Sequence, residues 1–185
     1  AFARHWLTPR LGDFNRQHPQ IDLWLFTSFE PPDMATDSID LAIRDDLSAQ
    51  ADCTFNVLCT DRLYPACHPS LLALTPEQRV TLHGEREMDW SHWAVAGGAH
   101  VGQRDSGLNF SDPGLLLDAA CNGLGIALVS QLLAQHARDA GLLQPLTEQR
   151  VRGANWAWLL HRDSEHNPLA RHFCQWLQSA LPAGA

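Results

Sequence analysis

Residues 109–130 read NFSDPGLLLDAACNGLGIALVS, and their punctuation decides the fold class. Ser111 or Asp112 ahead of Pro113 is how a helix opens. The polar side chain caps free N–H groups, and proline fits the first turn because its missing N–H is no loss there. Asn122 and Gly123 close the helix, since both tolerate the left-handed backbone conformation. Ile126, Ala127, Leu128 and Val129 then read as a short buried strand. The stretch predicts a strand end, a capped helix, a glycine turn and a second strand. That order fits ordinary α/β architecture. It also fits a helix N-terminus that faces a crevice and offers N–H groups to a ligand.

Outward from this unit, strand-like and helical segments alternate. Toward the N-terminus, Trp6, Leu7, Leu11 and Phe14 recur at helical spacing, with Pro9 suited to a first turn rather than a helix interior. Residues 21–27, IDLWLFT, alternate as a strand with Ile21, Leu23 and Leu25 on one side. Residues 39–44, IDLAIR, predict another. TFNVLCTDRLYPACHP reads as two β-rich runs separated by Thr60, Asp61 and Arg62. MDWSHWAVAGG suits a short helix ending at two glycines, and residues 100–107 suit a loop. Toward the C-terminus, a helix stopping at Gly141 leads to the strand ANWAWLLH. The amphipathic helix NPLARHFCQWLQSAL follows, with Phe173, Trp176, Leu177 and Leu181 inward. Strands separated by helices imply a largely parallel sheet with helices on both faces.

Bulk properties narrow the function. The 185 residues suffice for one sizeable core or two small lobes, and 45% hydrophobic with 18% charged residues is a globular balance. The formal charge is −8, and the 13 basic residues are all arginines scattered along the chain. Without a basic stripe the chain is a poor binder of nucleic acid by itself. Five cysteines without C-x-x-C spacing point to a reducing compartment and to thiols used as small apolar fillers. The ten histidines show no zinc spacing, so neither metal nor cofactor is expected. No apolar run reaches the roughly 20 residues of a membrane span. No nucleophile elbow and no suitably spaced carboxylate pair supports an enzyme.

The order of motifs resembles one known family. RHWLTPRLGDFNRQHPQIDLWLFTS, SIDLAIRDD, LYPACHPSLLA, NFSDPGLLLDAACNGLGIALVSQLLA and NPLARHFCQWL are similar, in sequence, to the effector-binding domain of bacterial LysR-type transcriptional regulators. Asp89 and Trp90 with Trp93, together with WLLHR, resemble the branch regulating glycine cleavage and β-lactamase induction. The resemblance implies an α/β fold of two lobes, like type 2 periplasmic solute-binding proteins, each lobe a mixed, mostly parallel sheet flanked by helices. Residues 1–64 and 160–185 would form the first lobe and 65–159 the second. Strands near RLYPAC and NWAWLLH would cross between them as a hinge. It further implies a small-molecule effector in the interlobe cleft, a cytoplasmic homodimer, and promoter DNA bound only through an N-terminal winged helix-turn-helix absent from this chain. The first strand that the family places ahead of Ala1 and Phe2 is expected to be absent too.

Ligands of open α/β sheets sit beyond the carboxyl ends of strands. That selects Thr27, Ser28 and Phe29 on one side, and Phe110, Ser111 and Asp112 on the other. Hydroxyls beside a helix N-terminus suit a carboxylate, whereas the fixed charge of Asp112 favours an amine-bearing or zwitterionic effector. The resemblance adds Asp33, which reads equally as a helix cap, and Trp156, which reads equally as core packing. Arg44 reads as the partner of Asp45 or Asp46. A solute-binding protein of the same fold is the alternative, with an α/β enzyme behind it.

Overall fold

Pro9 divides the first helical stretch. Ala3–Leu7 winds as a π-helix, Thr8–Arg10 as a 3-10 turn, and α1 (Leu11–Gln17) follows. A proline inside a helix lacks an N–H and crowds the preceding turn, so the winding changes there. The structure, a computed structural model, describes residues 1–84, 90–102 and 107–181. Asp89 and residues 103–106 of the loop read at 100–107 therefore lie outside the described residues. The other elements are β1 (Leu41–Arg44), β2 (Cys53–Cys67), β3 (His83–Gly84), α2 (Trp90–Val95), β4 (Asn109–Phe110), α3 (Pro113–Cys121), β5 (Ala127–Ser130), α4 (Gln135–Asp139), β6 (Gln144–Pro145), β7 (Val151–His161), α5 (Arg162–Glu165) and α6 (Pro168–Ala180). The main sheet has the order β1-β7-β2-β5, with β6 also on β2.

The chain forms two compact units, Ala1–Pro9 with Arg62–Gly153 and Arg10–Asp61 with Ala154–Ala185. Strands β2 and β7 contribute to both. The division differs from the boundaries the resemblance implies. Residues 1–9 join the unit of 62–153 because the π-helix packs on α4 and Arg4 pairs with Asp118 at 3.0 Å. Residues 157–160 join the other unit because they pair with β1, Leu41 opposite Leu160 and Arg44 opposite Ala157.

In the unit containing 62–153, β5 lies antiparallel to β2 with Leu63 opposite Ser130 and Ala66 opposite Ala127. Its core gathers Leu63, Cys67, Trp90, Trp93, Val101, Ile126, Leu128 and Val151. Ile126 is fully buried, which stabilises by roughly 1.5–3 kcal/mol. The Asn-Gly-Leu-Gly turn has two separate causes. Gly123 holds φ at +75°, where a side chain is strained. Gly125 has ordinary φ, but a Cβ there would stand 2.5 Å from the Val80 carbonyl oxygen. That carbonyl accepts the Ile126 N–H at 2.8 Å, so the close approach is what closes the pairing.

The unit containing 10–61 has two apolar layers. Met34, Ala42 and Leu159 pack together with Ile39, Leu47 and Cys53. Helix α6, opened by Asn167 accepting from the Leu169 N–H at 3.0 Å, lays Phe173 edge-on against Phe14 of α1 at 5.2 Å. Trp176 sits 5.0 Å from Phe14, and its indole N–H reaches Asp13 at 3.3 Å.

Three expectations need correction. Residues 21–27 form no strand: a strand exists by pairing, and no ladder reaches them. Trp24 and Phe26 are instead 79% and 73% exposed and stack on each other at 6.4 Å. The two β-rich runs around residue 61 are one continuous strand. Its polar centre is tolerated because Thr60 donates to Asn155 at 2.8 Å and the Trp156 indole N–H reaches Asp61 at 3.4 Å. The mostly parallel pairing expected is present between β3 and β4 and at the Thr81–Ile126 bridge. The registers of β7 with β1, and of β5 and β6 with β2, are antiparallel.

Candidate functional site

In the unit containing 10–61, Thr27, Ser28 and Phe29 lie on an exposed loop without regular structure. The Ser28 hydroxyl oxygen accepts the Glu30 N–H at 3.0 Å, which leaves its own O–H free to donate outward. What holds this loop is Arg44 at the end of β1. Its Nη1 donates to the carbonyls of Ser28 (2.9 Å) and Glu30 (3.0 Å), and Nη2 to that of Phe29 (2.8 Å). Nε and Nη2 grip Asp46 at 2.6 and 2.9 Å. The bonds to Asp46 raise the Arg44 pKa above its usual value against the smaller opposing effect of burial, so the charge is fixed. Farther along, Gln50 donates to the Pro32 carbonyl at 2.9 Å and accepts the Met34 N–H at 3.2 Å. Asp33 is exposed, and its carboxylate accepts the Ala35 N–H at 3.0 Å. It caps a turn, where the alternative reading expected a helix.

In the other unit, Phe110 ends β4, Ser111 is exposed, and Asp112 caps α3 through the Gly114 N–H at 2.8 Å. His5 was not among the residues singled out from sequence. It lies over the first turn of α3, where a Cβ on Gly114 would come within 3.1 Å of its Nε2. Asp118 is 3.8 Å from that nitrogen and also pairs with Arg4. Burial lowers the His5 pKa, and Asp118 only partly offsets this. Only tertiary packing could reveal it, because His5 and Gly114 are more than a hundred residues apart.

Trp156 is 6% exposed, so its side chain is a packing element on β7 with the Asp61 carboxylate at its indole nitrogen. Thr27, Ser28, Phe29, Asp33 and Trp156 thus belong to one unit, and Phe110, Ser111 and Asp112 to the other. The five cysteines are unbridged. Burial pushes the thiols of Cys59, Cys121 and Cys174 up to about 11, which suits packing rather than redox chemistry. Among the described residues no group of three or more His, Cys, Asp or Glu side chains is arranged to hold a metal ion. No helix among them is long and apolar enough to cross a membrane.

These features define an α/β scaffold with exposed hydroxyls at Ser28 in one unit and Ser111 in the other, and the comparisons with known proteins give its family. Residues 1–182 match the LysR substrate binding domain, and the chain belongs to that family. It has the type 2 periplasmic-binding-protein-like α/β fold. Among its relatives, the glycine cleavage system transcriptional activator of Escherichia coli K12 is 31% identical over 174 residues, covering 89% of this chain and 57% of that protein. The HTH-type transcriptional activator AmpR of Citrobacter freundii is 30% identical over 188 residues, covering 98% of this chain and 64% of that protein. The chain therefore spans about three fifths of these relatives' length. The effector domain of the regulator AmpR of Pseudomonas aeruginosa superposes with a TM-score of 0.76 at 25% identity, covering 97% of this chain and 90% of that one. These relatives are transcriptional regulators rather than enzymes.

Proposed function

We propose that this chain is the effector-sensing part of a LysR-type transcriptional regulator. The contacts proposed for a small carboxylate or zwitterion are Ser28 with Thr27, Phe29 and Asp33, and Ser111 with Phe110 and Asp112, while Trp156 packs within β7. The observation that carries this reading is the family match over residues 1–182. The free O–H of Ser28 supports it as a donor suited to an anionic group, and the Asp112 carboxylate at the start of α3 suits the amine of a zwitterion. The effector binds one state of the chain better than another and shifts the population toward it. Moving an equilibrium from mostly one state to mostly the other takes roughly 5 kcal/mol of differential affinity, within reach of a few charge-assisted hydrogen bonds. In the full regulator, a cytoplasmic homodimer passes that shift to helix-turn-helix modules outside residues 1–185. Promoter DNA is contacted there, because a chain of charge −8 without lysine offers it little.

The test is a thermal-shift screen of small carboxylates and amino acids. A ligand at a hundredfold its dissociation constant adds about 2.7 kcal/mol of stability. Ser28→Ala and Ser111→Ala should each reduce the shift given by a hit and the promoter response of the full regulator. Full retention of both in the double variant would refute the assignment.

A further inference from the structure

Arg44 has five N–H donors, and the structure gives each one an acceptor: two on the Asp46 carboxylate and three on the successive carbonyls of Ser28, Phe29 and Glu30. Its side chain is only 16% exposed, although the loop it holds is open to solvent. The loop has no ladder and no helix to fix it, and Pro31 and Pro32 remove two further donors that could have tied it down. Its order therefore depends on one guanidinium. Sequence reading accounts for the pair with Asp46 but not for the three carbonyls, which come from residues fourteen to sixteen positions earlier.

We propose that Arg44 is the positioning residue of the effector site: anchored by Asp46, it gathers the carbonyls of residues 28–30 onto its guanidinium and so sets the direction of the Ser28 hydroxyl. With those acceptors committed, the loop offers donors to a ligand, the Ser28 O–H first. At the Ser28 hydroxyl itself that favours an acceptor such as a carboxylate oxygen. The inference rests on the reading of Ser28 as an effector contact for its functional meaning, but not for its structural content. A lysine cannot replace Arg44, because an ammonium has three donors and no planar fork.

The experiment measures backbone 15N order parameters at Ser28, Phe29 and Glu30 in the whole chain and in its Arg44→Ala variant. Rigid backbone gives about 0.85 and a flexible loop falls below about 0.6. The expected result is a fall of that size confined to residues 28–30, with α6 and β7 unchanged. Added methylguanidinium should restore the order, and methylammonium should not. Unchanged order in Arg44→Ala, equal loss throughout α6 and β7, or equal rescue by methylammonium would each overturn the proposal. Should Arg44→Ala not fold, Asp46→Asn is read at the same three amides and should loosen them. Unchanged order there counts against the proposal in the same way. Whether Ser28 touches the effector is decided separately by Ser28→Ala in the binding screen, so the two failures cannot be confused.

Discussion

Replacing Asp112 by alanine and by asparagine separates the two roles this residue combines. Its carboxylate accepts the Gly114 N–H at 2.8 Å and places a negative charge at the start of α3. Losing the cap costs about 1 kcal/mol, and losing a charge that complements the helix dipole costs about 0.3–1 kcal/mol more at low salt. Asp112→Ala loses both, about 1–2 kcal/mol. Asp112→Asn keeps a cap of nearly equal quality and loses only the second part. For a domain of 150–250 residues each kcal/mol lowers Tm by about 2–4 °C, so a melting curve resolves the two variants. Raising the salt concentration screens the dipole contribution, so Asn should converge on the parent while Ala keeps only the cap's deficit of about 1 kcal/mol. Asparagine melting as low as alanine, or alanine melting with the parent, would refute the account of how this helix is opened.

Other expectations follow from single contacts. Gly125→Ala sets a Cβ against the Val80 carbonyl and should destabilise by about 1–3 kcal/mol in denaturant titration; a neutral result means that the turn relaxes freely. Burial holds the His5 pKa in the folded chain below its ordinary 6.5. As pH falls below that value the unfolded chain binds the proton first, so folding stability declines until the folded-state pKa is passed. Among the charged groups facing His5, Asp118 and Asp112 raise its pKa, Arg4 and the N-terminal amino group lower it, and burial is the largest effect. His5→Gln should flatten the stability profile in this window, and an unaltered slope would contradict the assignment. Cys59, Cys67 and Cys174 are buried thiols with raised pKa values and should react with a disulfide reagent only as fast as the chain unfolds. Prompt reaction of any of the three would show the packing to be wrong.

Local signals were readable where one residue type has one physical use. The Asp112-Pro113 opening, the Gly123 and Gly141 stops and the strand read at ANWAWLLH all appear in the structure. Pairing was harder to read, because alternation says that a segment can be a strand and not that a partner exists. Residues 21–27 show this most clearly, with an ideal pattern and no ladder. The break expected at Thr60 and Asp61 failed for the converse reason, since β7 supplies partners for polar side chains that the sequence shows unpartnered. The candidate site was read as hydroxyls after strand ends and before a helix; Ser111 does stand between β4 and α3, whereas Thr27 and Ser28 follow no strand. The parts that hold it, Arg44 over the carbonyls of residues 28–30 and His5 over Gly114, arise from residues distant in sequence and leave no local trace.

Chemical-shift mapping with a ligand recovered from the screen probes the whole account at once, since it reads where the guest sits without presuming its identity. The amides of Ser28 and Phe29 in one unit and of Ser111 and Gly114 in the other are expected to move together and saturate at one concentration. Shifts confined to a single unit, or clustered away from all four positions, would contradict it.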